Sequence, residues 1–281
     1  MNEGSSDQEI ITLTLLVGSS LSLIGSLFII FFYFYLHLDI FAFKLVLYMA
    51  IADLIHSVCL MLPITEPWCH IQGFLLQFSG LSSIIWTALM AYSLYESVIR
   101  LNSNIQGKEK WYLIIGFLVP LIISALPEIS QSYGYSQGWC WIVDHQYSFV
   151  YRILCFYLIL VIVFVYNCVV YWMVWKKLYR EVLVDLHDEE INKINKDLVT
   201  RLKMYPIVLL VSYAGVTSKR IFEIYDVQGE VFWLSLIAGG TMSLVGILDA
   251  IVYGFSIEVR QSIKMCCRKQ RDNESLYGFI N

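Results

Sequence analysis

The chain has 281 residues, of which 58% are hydrophobic and 15% charged, with a mean hydropathy of +0.65 and a formal net charge of −4. Soluble domains carry about 25% charged residues, so a soluble globular enzyme or binding module is excluded, and no nucleic-acid polymer is expected as a partner. The apolar residues are gathered into blocks of bilayer-crossing length, roughly 20 residues each, which leaves no room for a separate soluble domain.

Residues 1–9 are short, polar and acidic, and form an expected extracellular N-terminus. They lack the basic flank and small-residue cleavage site of a removable signal, and the first apolar run is too long for a signal core. The apolar blocks are residues 10–36, 41–62, 69–99, 111–126, 147–174, about 198–216, and 231–255. The sixth has the shortest clean core, "YPIVLLVSYAGV", with Arg201 and Lys203 just before it. Continuous apolar runs favour helices over a barrel, whose strands alternate in ten-residue segments. The expected fold is therefore an all-α bundle of seven transmembrane helices over residues 10–255. Between the fifth and sixth blocks, the charged stretch 176–203 carries Leu183, Leu186, Ile194, Leu198 and Leu202 at helical spacing, and is expected to extend both helices past the membrane. Residues 256–268 read as a short amphipathic helix lying in the interface. Its Cys266 and Cys267 are candidates for palmitoylation, the alternative being plain thiols. Residues 269–281 form a tail with Ser275 and Tyr277, where kinases or arrestin-like proteins would act.

Lysine and arginine set the orientation. With the N-terminus outside and seven spans, only Arg152, Lys219 and Arg220 of the 19 fall on the outer side. On that topology Cys69 and Cys140 face an oxidising compartment. Cys59, Cys155 and Cys168 lie inside apolar spans, and Cys266 and Cys267 are cytoplasmic. A Cys69–Cys140 bridge is then the one sensible disulfide, closing a loop of about 70 residues and stabilising by about 4 kcal/mol; two unpaired loop cysteines are the alternative. Trp139 and Trp141, flanking Cys140, read as anchors at the bilayer surface, with a ligand lid as the second reading.

Two carboxylates fall within spans, where they are costly and functional by default. Asp53 stands in "MAIADLIH" and Asp249 in "GILDAIVYGF", both in the inner half, with Ser83 at a compatible depth on the third helix. Two buried carboxylates cannot both stay ionised without a proton or cation between them. Asp53, Ser83, Asp249 and Tyr253 are therefore expected to form a polar switch, a candidate sodium site; a static polar patch is the plainer alternative. His56, also within a span, reads as a pH sensor or as a hydrogen-bonded bundle residue. At the outer face, Arg152, Lys219 and Arg220 could hold a phosphate, with Tyr147 and Tyr151 stacking beside it. The plainer alternative is snorkelling of long side chains.

Seven helices, N-terminus out, with the third tied to the second outer loop, resemble a G-protein-coupled receptor. The stretch "WCHIQGFLLQFSGLSSIIWTALMAYSLY" is similar to the slime-mould cyclic-AMP receptor family and its relatives in other protists and plants. So are "GWCWI" followed by "YRILCFY", then "RLKMYPIVLLVSY" and "LDAIVYGFSIEVR", over about residues 20 to 265. Asp53 resembles the second-helix aspartate of rhodopsin-like receptors, and Asp249–Tyr253 has the spacing of their N-P-x-x-Y motif. Their D-R-Y tripeptide is replaced by Ser93-Leu94-Tyr95, with Glu96 and Arg100 just beyond. The resemblance implies a plasma-membrane receptor for an extracellular small molecule such as cyclic AMP. Its implied partners are a heterotrimeric G protein and the lipid bilayer.

A retinal pump would need a lysine in the last span, and residues 231–255 hold none. No H-E-x-x-H, nucleophile elbow or G-x-G-D motif supports an enzyme, and no cofactor or metal centre is expected beyond the sodium candidate. The remaining alternatives are an orphan receptor for a different ligand and a small cation- or proton-coupled transporter.

Overall fold

The structure is a computed structural model that describes residues 3–37, 41–102, 106–136, 138–143, 148–184, 204–225 and 232–254. Tyr147, Cys266, Cys267, the 256–268 helix and the tail lie outside the described residues. So does most of the charged stretch between the fifth and sixth helices.

Seven helical rods are described: α1 (Glu3–Tyr35), α2 (Phe41–Leu60), α3 (Trp68–Val98), α4 (Glu109–Ile129), α5 (148–184), α6 (Met204–Tyr225) and α7 (232–254). α7 is a bent pair, Phe232–Ser243 and Val245–Gly254. Between α4 and α5 lies an antiparallel hairpin, β1 (Tyr133–Ser136) and β2 (Trp139–Ile142), in the register Tyr133↔Ile142 to Ser136↔Trp139. Among the described residues, α1 to α5 contain segments long and apolar enough to cross a membrane. α7 makes a sixth if its halves, bent by 41°, count as one span. α6 has 22 residues, about 33 Å, and so has spanning length. It runs to Tyr225, past the expected end at 216, and carries Lys219 and Arg220 within it.

α3 is the hub, packed on α2, α4, α5 and the hairpin; α1 lies across α2 and α7, and α6 packs on α7. Broad apolar faces stay uncovered on α1, α4 and α5, including Ile24, Phe31, Trp111, Ile122, Val161 and Ile162. In water such a surface would drive aggregation, whereas in a bilayer it is the lipid contact. Inside, two apolar clusters stack end to end. One, at the α1–α2 loop end, holds Phe43, Met49, Trp86, Tyr112 and Tyr253. The other, at the hairpin end, holds Leu76, Trp139, Trp141, Phe156 and Tyr213. They meet between Ala52 and Cys59 on α2 and between Ile84 and Ile85 on α3, so Asp53 and Ser83 sit at the join.

Two π turns interrupt the rods, Ile114–Leu118 in α4 and Ile153–Tyr157 in α5. A π turn disturbs the i→i−4 ladder and leaves carbonyls in need of another donor. α3 supplies one to each: Ser82 Oγ donates to Gly116 O at 2.7 Å, and Gln77 Nε2 to Cys155 O at 2.9 Å.

Candidate functional site

The hairpin is one half of the site. Its second strand, "WCWI", is buried at all four positions, so its polar atoms must be satisfied from the bundle. Cys140 is bridged to Cys69 at the start of α3, with a Cα–Cα distance of 5.2 Å. Gln72 Oε1 accepts the Cys140 N–H at 3.1 Å while its amide nitrogen donates to Cys59 O at 2.9 Å. Gln77 Oε1 accepts the Trp141 indole N–H at 2.7 Å. The first strand is anchored by the Tyr133 hydroxyl, which donates to Ser124 O at 2.8 Å, and burial pushes that phenol above its ordinary range. Gly73 makes the close approach possible: a Cβ there would lie 3.0 Å from the Tyr133 ring.

Arg152, Lys219 and Arg220 all contact this hairpin. Arg152 donates through Nε and Nη2 to Ile142 O, at 3.0 and 2.5 Å. Lys219 Nζ lies 4.6 Å from the Trp139 ring centroid. Arg220 stands 5.4 Å from the Trp141 ring and donates to Ser136 Oγ at 2.9 Å. All three are buried. Arg152, Lys219 and Arg220, which the sequence offered as phosphate ligands or snorkelling side chains, thus each meet hairpin atoms. Tyr151 is half-buried and packs at the edge of the hairpin-end cluster. Trp139 and Trp141 are 2% and 5% exposed. They are therefore not anchors at the bilayer surface: as alternate strand residues they share one face, and that face points into the bundle.

The second half of the site lies at the join. Ser83 Oγ donates to Asp53 Oδ1 at 2.9 Å, and the buried Asp249 carboxyl is close enough for its charge to interact with that of Asp53. Two carboxyls bond only through a shared proton or a cation. The set of one hydroxyl and two carboxyls offers the oxygen donors a hard cation takes. Tyr253 is buried one turn further along α7, edge-on to Phe43 at 5.9 Å, outside the hydrogen-bonded set. His56, one turn along α2 from Asp53, meets Ser79 Oγ through Nδ1 at 3.1 Å. Among the described residues no group of three or more His, Cys, Asp or Glu could hold a metal.

At the opposite end from the hairpin, the place of the D-R-Y tripeptide is taken by a latch on Glu96. Its side chain is 2% exposed and accepts from Arg100 at 3.0 Å and from Asn102 at 2.9 Å, with Lys108 Nζ at 3.7 Å. Lys177 of α5 reaches the end of α3 and donates to Val98 O. Glu109 receives Lys44 at 3.3 Å and the Tyr48 hydroxyl, a contact the sequence reading missed. So were the roles of Gln72 and Gln77. Their signal was present: an amide in an apolar span needs a partner as an acid does.

The apolar helical bundle with its disulfide-tied hairpin is that of a multi-pass membrane protein, and the comparisons give its family. The sequence profile described as slime mold cyclic AMP receptor matches residues 3–237, and the chain belongs to that family. It is 29% identical over 265 residues to "G-protein coupled receptor 1" of Arabidopsis thaliana, covering 92% of this chain and 81% of that protein. It is 26% identical over 248 residues to "Cyclic AMP receptor-like protein A" of Dictyostelium discoideum, covering 85% of this chain and 62% of that one. A shorter match, 30% over 112 residues, joins 35% of the chain to 33% of human "G-protein coupled receptor 157". Family and fold together make this a multi-pass plasma-membrane protein of the G-protein-coupled receptor type.

Proposed function

We propose that the chain is a receptor of seven spans with its N-terminus outside, which senses an extracellular small molecule and signals to a heterotrimeric G protein. Cyclic AMP is the first ligand to try, because the family and the Dictyostelium relative carry that name. The observation that carries the reading is the hairpin, bridged through Cys69–Cys140 and seated in the mouth of the bundle above an internal cavity. A disulfide persists in an oxidising compartment, which supports an outward-facing hairpin end. The concentration of Lys and Arg toward the other end agrees. Asp53, Ser83 and Asp249 would serve as the switch, exchanging a proton or Na⁺ as the bundle changes state. A ligand acts by favouring one of two arrangements, and the G protein selects the same one.

The test is expression in intact cells with surface labelling, followed by labelled cyclic AMP binding and G-protein nucleotide exchange. Saturable binding with stimulated exchange is the expected result. A surface-exposed protein that binds but never stimulates exchange would refute the coupling. Substrate flux into vesicles without exchange would move the reading to a transporter.

A further inference from the structure

α7 is broken near its middle. Its first half stops at Ser243, its second begins at Val245, and the two are bent by 41°. A sharp kink traces to a proline, to adjacent glycines or serines, or to a group inserted into the i→i−4 ladder. Residues 232–254 hold no proline, and Gly239–Gly240 lie inside the unbroken first half. In a continuous helix the Ile247 N–H would donate to Ser243 O. Here the Ser22 hydroxyl of α1 occupies that gap. It donates to Ser243 O at 2.7 Å and accepts the Ile247 N–H at 3.2 Å. Ser22 is fully buried, and two glycines let α1 come this close. A Cβ at Gly25 would lie 2.7 Å from Gly246 O, and one at Gly246 would lie 2.9 Å from Ser22 O. The half of α7 beyond the break carries Asp249.

We infer that Ser22 is a wedge that sets the bend of α7 and, through it, the place of Asp249 against Asp53. This rests on the acid-pair switch proposed above and deepens it, by naming the residue of α1 that positions the pair. Counting hydrogen bonds gives the bend a second state. With the wedge in, Ser243 O and the Ile247 N–H each bond to Ser22. With it out they bond to each other, and the Ser22 hydroxyl turns to Gly18 O, one turn back, in the manner of helical serines. Two bonds form in either arrangement. Neither strands a buried polar group, so a modest bias moves the helix from one to the other. The lever is long enough to matter. Asp249 stands about 7.5 Å past Leu244 along the axis, so closing the 41° bend carries it by about 5 Å, beyond the reach of a hydrogen bond.

The test uses the purified full-length chain in lipid nanodiscs, with nitroxides attached through encoded keto side chains so that Cys69–Cys140 stays intact. One label replaces Ile251, exposed on the second half of α7, and its partner replaces Trp111 on α4 or Phe31 on α1, both exposed. Ile251 lies about 10 Å past the break, so in Ser22→Ala at least one of the two distances should shift by about 3 Å or more. The Trp111–Phe31 distance should stay fixed, which shows the bundle folded. Ser26→Ala removes the next hydroxyl along α1, which has no hydrogen-bond partner among the described residues; it should leave every distance at wild type. Basal nucleotide exchange should change in Ser22→Ala by at least about fivefold. Unmoved distances in Ser22→Ala, or the same shift in Ser26→Ala, would overturn the wedge. Altered exchange with an unmoved α7 would discard the wedge and keep the receptor. A shifted α7 with unaltered exchange would keep the wedge and remove the acid pair from signalling.

Discussion

Replacing Gln77 with leucine tests how the hairpin is held. The side chain is fully buried and spans two structures, donating to the π-turn carbonyl of Cys155 and accepting from the Trp141 indole. Leucine keeps most of the volume and removes both bonds, stranding a buried carbonyl and a buried N–H. Each stranded group costs about 1–3 kcal/mol, so the loss is about 3 kcal/mol. At about 2–4 °C per kcal/mol for a chain of this order, the apparent melting temperature in nanodiscs should fall by about 6–12 °C. A double-mutant cycle isolates the indole bond. Trp141→Phe removes the donor, so in the Gln77→Leu background it no longer leaves an N–H unsatisfied. The double variant should then be less damaged than the sum of the singles by about 1–2 kcal/mol; the Cys155 carbonyl loss is common to both Gln77 arms and cancels. Additivity within about 0.3 kcal/mol, or an unchanged melting temperature for Gln77→Leu, would refute the claim that α3 seats the hairpin through this amide.

Three further outcomes are expected. Gly116→Ala places a Cβ about 2.4 Å from the fully buried Trp86 indole. It should destabilise by about 1–3 kcal/mol, read as a lower melting temperature, and the smaller ring of Trp86→Phe should restore part of the loss. Glu96→Gln removes the charge that gathers Arg100, Asn102 and Lys108. Hydrogen exchange should quicken in the segment after α3 and not in the hairpin; unchanged protection would show the latch to be incidental. Asp53→Asn replaces one of the paired carboxyls, and should change ligand potency or basal nucleotide exchange by at least about fivefold. Unchanged potency and exchange in a correctly placed receptor would reduce the acid pair to a static patch.

The helices were legible because an apolar run of 20 or more residues has few alternatives. Cys69 and Cys140 were legible because the other five cysteines fell in spans or on the cytoplasmic side. The hairpin was not read from sequence. "YGYSQGWCWI" is a short aromatic-rich repeat about a glycine turn, which is a hairpin signal, but its setting between two spans suggested a surface loop with interfacial tryptophans. Once it folds inward, the meaning of its neighbours changes. Arg152, Lys219 and Arg220 look like free cations in a list of residues. They become clasps only because a strand carbonyl, a serine and two indole faces arrive beside them. Asp53, Ser83 and Asp249 were recognisable one by one from the cost of an acid in lipid. Tyr253 was grouped with them by motif spacing, yet one helical turn carries it past the pair to Phe43.

The placement of polar residues on α3 explains why the site reaches from one face to the other. Helices in lipid gain little from burying apolar surface against each other, so polar bonds and close packing must hold them. α3 carries these bonds in sequence. Cys69, Gln72 and Gln77 hold the hairpin, and Ser82 donates to the π turn of α4. Ser83 holds the acid pair, Thr87 accepts from Asn167 of α5 at 3.2 Å, and Glu96 closes the far loop. From Cys69 to Glu96 is 27 residues, about 40 Å of continuous helix. The hairpin, the carboxyl pair and the Glu96 latch are thus three attachments to one rod. On the function proposed above, a ligand at the hairpin end and a G protein at the Glu96 end would both act on this one helix.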